Sequence, residues 1–413
     1  MTIFASRRPT LSLSWPAVPR RSLLLVAVAA LALSGCSLKS SGSGSSSPVG
    51  SGVKSDSRQA SAQLGFPTVA TRDTTRVSGT DGVADAAGVA SALFPSITPL
   101  TRPGAIALVD KNNWQAGIAA AVLAGSPLHA PLLLSDGSSL PGATSGTLGQ
   151  LKPTGEALSK GAQVILVGDG VPAPGGLKSG RLHGSDAYSI AAAVDNFQTA
   201  VTGKPTPDVL VVSGEQPAYA MPAAAWAARS GDSVLFVKRT SIPAPTRKAL
   251  QSHSKPNIYV LGPATAISPA LDAQLGRLGH VVRITKKTTK DPVASAVEFA
   301  RFTVAGFGWN ARVPGRNYTL ANSSRPQDAA ASAALGANGV FAPLLLTDQA
   351  KALPPSLESY LLDVQPGFEN GDPSQGLYNH VWLLGNKDAV STAVQARIDQ
   401  LSQLVPVDRP PTK

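Results

Sequence analysis

The octapeptides HAPLLLSD (residues 129–136) and FAPLLLTD (residues 341–348) share the pattern Ala-Pro-Leu-Leu-Leu-(Ser/Thr)-Asp, 212 residues apart. A short apolar run that ends in polar residues is typical of a strand buried on both faces of a parallel sheet. Its recurrence indicates that the chain contains copies of one unit. A repeated unit sets the architecture of the whole chain, so it matters more for the fold than any single element. The surrounding sequence is therefore expected to recur as well.

Further strands recur around the octapeptides. Three apolar runs end in glycine: QVILVG (163–168), NIYVLG (257–262) and HVWLLG (380–385). Three others each precede an alanine-rich helical stretch: 106–110, 209–213 and 318–322. Strands that alternate with helices predict an α/β fold with mostly parallel sheets and right-handed crossovers.

An arginine motif opens each unit. RVSGTD begins at Arg76, RLHGSD begins at Arg181, and a shorter version, RIT, begins at Arg283 with Asp291 further on. The arginines are 105 and 102 residues apart, which sets a repeat of about 100 residues. The motif ends in residues that accept hydrogen bonds from the first turn of a helix, so Thr80 or Asp81 is predicted to be an N-cap.

The N-terminal region has the pattern of an export signal. Four arginines precede an apolar run at residues 23–33, and the small-residue sequence LSGC ends at Cys36. Eleven apolar residues are too few to span a bilayer. LSGC resembles a bacterial lipobox, which implies cleavage before Cys36 and lipidation of its thiol. Residues 1–35 are thus predicted to be a lipoprotein signal peptide, and residues 36–70 the lipidated cysteine with a Ser/Gly-rich tether.

Composition and charge narrow the classes of function. The chain has 413 residues, 43% hydrophobic and 15% charged, which predicts a packed globular body. Its single cysteine excludes an intrachain disulfide. Without the four signal-peptide arginines, the formal charge of +11 falls to +7. This surplus suits anionic wall polymers or lipid headgroups, and the export signal argues against nucleic acid as a partner.

The repeat resembles the cell wall binding repeat 2 family, which occurs in tandem threes in Gram-positive surface proteins. The matching segments are the arginine motifs at residues 76–81 and 181–186, the APLLL strands, the Asp-Ala helix start at Asp328, and the strands that end in glycine. Where the family has Asp-Arg-Tyr, this chain has DGV, DAY and DPV, so the arginine is absent and tyrosine occurs only as Tyr188.

The resemblance implies three tandem Rossmann-like three-layer domains in a pseudo-threefold arrangement. The repeats would occupy residues 71–175, 176–277 and 278–413, the last with a C-terminal tail. It also implies attachment to the wall through anionic polymers. The candidate ligand-binding residues are Arg76, Asp81, Arg181, Asp186, Tyr188, Arg283 and Asp328. An alternative for the arginines is that each pairs with a neighbouring aspartate and fixes the first helix of its unit.

No motif for an enzyme or cofactor stands out. The five histidines lack metal-ligand spacing. Gly168-Asp169-Gly170 follows a strand, but Val171-Pro172 comes next, so the dinucleotide fingerprint is incomplete. No Gly-x-Ser-x-Gly elbow follows a strand. We therefore expect neither a metal nor a cofactor.

The sequence predicts a non-catalytic, secreted protein, lipid-anchored at the outer face of the cytoplasmic membrane. It would bind anionic cell wall polymer or peptidoglycan. Basic groups at residues 238–239, 247–248 and 286–290 are candidates for that contact, or alternatively form a solvated face. Two other functions remain open: a lipid-anchored hydrolase or small-molecule receptor that uses a cleft between repeats, and a spacer without a ligand.

Overall fold

The structure is a computed structural model that describes residues 68–369 and 372–407. The predicted signal peptide, Cys36 and most of the tether lie outside the described residues. No helix of the described part is both long enough and apolar enough to cross a membrane.

Most strands belong to three sheets. The first sheet has the order β4-β3-β5-β6, the second β8-β7-β9-β10, and the third β12-β11-β14-β2-β1. The strands of the first sheet are β3 (Ile106–Asp110), β4 (Leu132–Ser135), β5 (Val164–Val167) and β6 (Ser179–Leu182). Those of the second are β7 (Asp208–Ser213), β8 (Ser233–Val237), β9 (Asn257–Leu261) and β10 (His280–Arg283). Those of the third are β1 (Thr68–Ala70), β2 (Thr74–Val77), β11 (Asn317–Asn322), β12 (Leu344–Thr347) and β14 (His380–Leu384).

Pairing within the three sheets is parallel, apart from the antiparallel pair formed by β1 and β2. A small parallel pair is formed by β13 (Gly367–Phe368) and β15 (Val405–Pro406). The α/β class with mostly parallel sheets, predicted from the apolar runs, is therefore confirmed. The two octapeptides form β4 and β12, each paired with the preceding strand in the chain.

Helices connect most consecutive strands, although none lies between β1 and β2 or between β5 and β6. In chain order they are α1 (Gly82–Leu93), α2 (Trp114–Ala120), α3 (Gly142–Leu151), α4 (Ala187–Thr202), α5 (Pro217–Ala220), α6 (Pro222–Ser230), α7 (Ala244–Ser252), α8 (Pro269–Leu275), α9 (Pro292–Arg301), α10 (Gln327–Ala331), α11 (Pro355–Asp363) and α12 (Thr392–Ser402). Two 3-10 turns, Ala121–Ala124 and Ala333–Gly336, follow α2 and α10.

We call the three predicted repeats, residues 71–175, 176–277 and 278–413, the first, second and third segments. The strand that carries each arginine motif joins the sheet of a different segment. β6 follows residue 175, where the first repeat is predicted to end, yet it pairs with β5 of the first sheet. In the same way β10 pairs with β9 of the second sheet. β2, near the start of the described chain, pairs with β14 near its end. Each sheet is thus completed by the opening strand of another segment, and the first segment closes the last sheet.

Alanine-rich elements hold the three sheets together. Helix α6 contacts both 3-10 turns, and α2 contacts α10. A Cβ added to Gly125 would lie 2.1 Å from the carbonyl oxygen of Ala228, and one added to Gly336 would lie 2.4 Å from that of Ala225. Because glycine and alanine have little side-chain volume, these backbones pack closer than larger residues permit. One hydrophobic cluster consequently runs through all three segments.

Candidate functional site

The motif arginines occupy equivalent places in β2, β6 and β10. Each lies opposite the residue two positions before the glycine that closes the neighbouring strand. These glycines, at 168, 262 and 385, all have the positive φ that favours glycine. Each guanidinium Nη1 donates to the carbonyl oxygen of its glycine, at 3.0 Å from Arg76, 2.5 Å from Arg181 and 2.6 Å from Arg283.

The remaining guanidinium groups also bond within the fold. Arg76 is only 4% exposed, and its Nε donates to the side-chain oxygen of Gln395 at 2.9 Å. Burial lowers the pKa of Arg76 to about 10. Arg181 donates to the carbonyl of Val171 at 2.8 Å. Arg283 forms an ion pair with Asp272 at 2.6 Å. The structure therefore gives the arginines a fold-stabilising role: they fix the loops that follow β5, β9 and β14.

The motif aspartates are N-caps. Asp81 accepts a hydrogen bond from the backbone N–H of Ala84 at 2.9 Å. Asp186 accepts from the N–H of Ser189 at 3.0 Å and from that of Tyr188 at 2.8 Å, and these bonds lower its pKa. They satisfy donors that have no partner inside a helix. Tyr188 itself is half-buried and packs against the core. The motifs thus begin α1 and α4.

The polar residues that end β3, β7 and β11 act locally. Asp110 accepts from the N–H of Asn112 at 3.0 Å. The hydroxyl of Ser213 accepts from the N–H of Gln216 at 3.1 Å, and the side-chain oxygen of Asn322 accepts from the N–H of Ser324 at 3.0 Å. They stabilise the turn that follows each strand.

A buried acid cluster joins the first and third segments. Asp328 is fully buried and accepts from the Nε of Arg325 at 2.7 Å. The Nη2 of Arg325 forms an ion pair with Asp85 of α1 and also donates to Asp328 at 3.2 Å. Asp85 also accepts from the N–H groups of Gly79 and Gly385, at 2.8 and 3.1 Å. Asp328, a predicted ligand residue, is therefore part of a structural contact between segments.

Two carboxyl groups share one guanidinium in this cluster. Burial and the adjacent Asp328 raise the pKa of Asp85 to about 8. Burial raises the pKa of Asp328 to about 6. With one proton on the two carboxyls, they carry a single negative charge, which the positive charge of Arg325 neutralises. A buried site tolerates this arrangement. Sequence reasoning missed Asp85 and Arg325, because the two residues are 240 positions apart and lie in no shared motif.

Five of the basic groups lie in the loops after β8 and β10, at the carboxyl edge of the second sheet, and two lie on α7, which follows β8. We call the following set the basic edge: Lys238, Arg239, Arg247, Lys248, Lys286, Lys287 and Lys290. All seven are exposed. Both loops are bonded to the loop after β9: the N–H of Ser268 donates to the carbonyl of Arg239 at 2.9 Å, and that of Ala264 donates to the carbonyl of Lys287 at 3.2 Å. In open parallel sheets, ligands bind beyond the carboxyl ends of the strands.

The acids near the basic edge are already engaged. Glu215 accepts from the backbone N–H of Arg239 at 2.9 Å, and Glu298 accepts from that of Lys286 at 3.0 Å. Asp272 pairs with Arg283, and Lys287 stands 3.9 Å from the same carboxylate. In the described residues, Lys238, Lys286 and Lys290 form no ion pair. Their charges are therefore available to an anionic partner.

Within 68–369 and 372–407, no three His, Cys, Asp or Glu side chains are gathered as a group that could hold a metal ion. The five sequence histidines remain dispersed, and His253 is buried against Asp195 with Nε2 2.8 Å from the carboxylate.

Two solved structures share the fold. Cwp8 from Clostridium difficile matches with a TM-score of 0.60 and 18% identity, over 80% of this chain and 52% of that one. Cwp6 from Clostridium difficile matches with a TM-score of 0.63 and 15% identity, over 79% of this chain and 48% of that one. The chain spans about half the length of these proteins. No curated protein matches the sequence.

A sequence-family comparison gives a more specific result. The model of the Cell wall binding domain 2 (CWB2) family matches residues 181–272. The match begins at Arg181 of the second motif and runs through β7, β8 and β9 into α8. It confirms the resemblance that the motifs indicated. Residues 181–272 of this chain are therefore similar to the CWB2 family of cell wall binding repeats.

Proposed function

We propose that this protein is a non-catalytic binding protein of the cell envelope, which attaches to an anionic cell wall polymer or to peptidoglycan through its basic edge. The observation that carries the proposal is that the CWB2 segment holds β7, β8 and β9 and four cations of the basic edge. A lipid on Cys36 would keep the body at the outer face of the cytoplasmic membrane, within reach of the wall.

Binding by the basic edge is electrostatic and therefore depends on salt. Exposed lysines interact weakly one at a time, but several together attract a polymer with repeated negative charges. Added salt screens such contacts, with a screening length of about 10 Å at 0.1 M ionic strength. Wall affinity is expected to fall steadily as salt is raised.

A charge-reversal experiment tests the basic edge. The detergent-solubilised full chain is sedimented with purified walls, and the variant Lys238→Glu/Lys286→Glu/Lys290→Glu is compared with it. We expect the variant to bind at least about tenfold more weakly and with a smaller salt dependence, because about 1 kcal/mol is lost for each lysine near an anionic surface.

The matched control has the same change of charge elsewhere. Lys204→Glu/Lys351→Glu/Lys387→Glu alters three exposed lysines outside the basic edge, and its binding is expected to stay within twofold of the unmodified chain. Equal loss in both triple variants would reject the basic edge as the contact. Equal binding to intact walls and to walls stripped of anionic polymer would reject that polymer as the ligand.

A further inference from the structure

A cleft lies at the opposite, amino edge of the second and third sheets. Its volume is about 510 Å³, within the range of small-molecule sites. One wall comes from α6, which leads into β8. The other wall comes from the loops that precede β11 and β12. The cleft is therefore formed by two segments and is separate from the basic edge.

Aromatic rings form its base and one side. Trp226 and Trp309 pack edge to face with ring centroids 5.4 Å apart, and Phe307 lies 4.7 Å from Trp226. These three rings are less than 10% exposed. Phe341 differs, since it lines the same cleft with 46% of its surface exposed. The cleft thus has a rigid aromatic base and one accessible ring.

Two arginines line the cleft without acidic partners. The guanidinium of Arg229 stands 4.5 Å from the centre of the Phe341 ring, and Arg316 lies at the cleft as an exposed side chain. Neither guanidinium forms an ion pair or hydrogen bond with any residue that the structure describes. Guanidinium groups hold carboxylate and phosphate oxygens with paired, directional hydrogen bonds.

The acids of the cleft are held by the protein itself. Asp232 is buried and accepts the indole N–H of Trp226 at 2.9 Å, which fixes that ring. Asp208 accepts from the side-chain amide of Asn257 at 2.8 Å. Burial raises the pKa of Asp232 to about 6, which weakens its negative charge in mildly acidic surroundings. Asp232 is buried and Asp208 half-buried, whereas both arginines are exposed, so the arginines are the charged groups most accessible to a ligand.

We propose that this cleft is a second ligand site, which takes one sugar residue that carries a carboxylate or a phosphate. The C–H face of a sugar ring packs on Phe341, because the face of an aromatic ring is negative and attracts such hydrogens. Arg229 and Arg316 bind the anionic group. The assignment rests on the proposed function, which makes an acidic wall glycan the source of the sugar.

Binding of simple acidic sugars tests the cleft directly. The detergent-solubilised full chain is titrated by calorimetry with D-glucuronate, glucose 6-phosphate and glucose. We expect glucuronate, glucose 6-phosphate or both to bind at least tenfold more tightly than glucose. Glucuronate alone identifies a carboxylate site, and glucose 6-phosphate alone identifies a phosphate site. Equal binding of all three sugars, or binding of none, overturns the proposal.

Variants tie that binding to the cleft. Arg229→Gln/Arg316→Gln is expected to reduce affinity for the acidic sugar at least tenfold. Phe341→Asn removes the ring, and asparagine tolerates the positive φ of 53° at this position. It is expected to weaken the binding of the sugar to a similar degree. Arg277→Gln, an exposed arginine outside both the cleft and the basic edge, serves as the control and leaves affinity unchanged. Cleft variants that bind as tightly as the control contradict the assignment.

The two proposals fail separately. If the basic-edge variant loses wall binding while acidic sugars do not bind, the cleft assignment is wrong and the proposed function stands. If acidic sugars bind in the cleft but unmodified protein does not sediment with walls, the proposed function is wrong and the cleft remains a sugar site of another kind. If acidic sugars bind and the unmodified protein also sediments with walls, Arg229→Gln/Arg316→Gln in the sedimentation experiment shows whether the cleft contributes to wall attachment. Reduced sedimentation supports an acidic wall glycan as the source of the sugar, and unchanged sedimentation overturns that source.

Discussion

The cluster of Asp85, Arg325 and Asp328 makes stability depend on pH at the scale of single residues. Both carboxyls have a folded pKa above the ordinary value of about 4, so the folded protein binds more protons than the unfolded chain. The contribution of these two carboxyls to the free energy of unfolding is then fully present below pH 4 and falls as pH rises through about 6 and about 8. Each proton contributes a slope of up to about 1.4 kcal/mol per pH unit.

Replacing Asp328 by asparagine is expected to reduce this slope. Asp328→Asn keeps the shape of the side chain and leaves Asp85 paired with Arg325 alone, so the free energy of unfolding should decrease less between pH 5 and pH 8. Urea unfolding at both pH values measures it. Asp348→Asn, at an exposed aspartate, is the control and should follow the unmodified protein. Asp328→Asn with an unchanged slope would show that the cluster does not titrate in this range.

Single residues were predictable as a set but not by their partners. Their spacing along the chain identifies Arg76, Arg181 and Arg283 as one repeated feature. The glycines that close the strands are recognised in the same way. The contact of each arginine with its glycine depends on which strands are neighbours in a sheet. That is set by the fold and not by spacing along the chain. A repeated arginine therefore looked like a ligand residue, although its hydrogen bonds stabilise a loop.

The most informative element is β2, which belongs to the third sheet. It was predicted to open the first unit, and apolar periodicity alone cannot tell which sheet a strand joins. In the structure the N–H of Val381 donates to Asp73 at 3.0 Å, and that of Gly385 donates to Val77 at 2.9 Å. Without β2, these donors lose their acceptors and β14 becomes an edge strand.

Truncation tests this closure of the chain. A chain that begins at residue 80 lacks β1 and β2, whereas one that begins at residue 68 keeps both and is the matched control. We expect backbone amides of His380–Leu384 to exchange with deuterium at least tenfold faster in the shorter chain, because their sheet becomes open on one side. Amides of Asp208–Ser213 in the second sheet should change far less. Similar protection of His380–Leu384 in both chains would contradict the role of β2.

The whole molecule was the easiest scale to predict in outline. The octapeptides, the glycine-ended strands and the alternating helices gave the α/β class, because backbone periodicity is a local property of the sequence. The pseudo-threefold arrangement of the repeats stays a prediction. A cleft between repeats was one alternative from the sequence, but its aromatic residues were not predicted, since Trp226 comes from the second predicted repeat, Trp309 and Phe341 come from the third, and the three are at no regular spacing. Such a site arises only when segments pack together.

Because one hydrophobic cluster runs through all three segments, a defect between them is expected to destabilise the whole body. Gly125→Ala places a methyl group 2.1 Å from the carbonyl of Ala228, so the backbones must separate at a cost of about 1–3 kcal/mol. Gly146→Ala, on the exposed side of α3 with no atom within 4 Å, is the control and should be neutral or stabilising by up to about 1 kcal/mol. Thermal unfolding followed by far-UV circular dichroism and by tryptophan fluorescence should shift together in Gly125→Ala. If the two signals separate, or if only one part of the body melts earlier, the segments are stabilised independently.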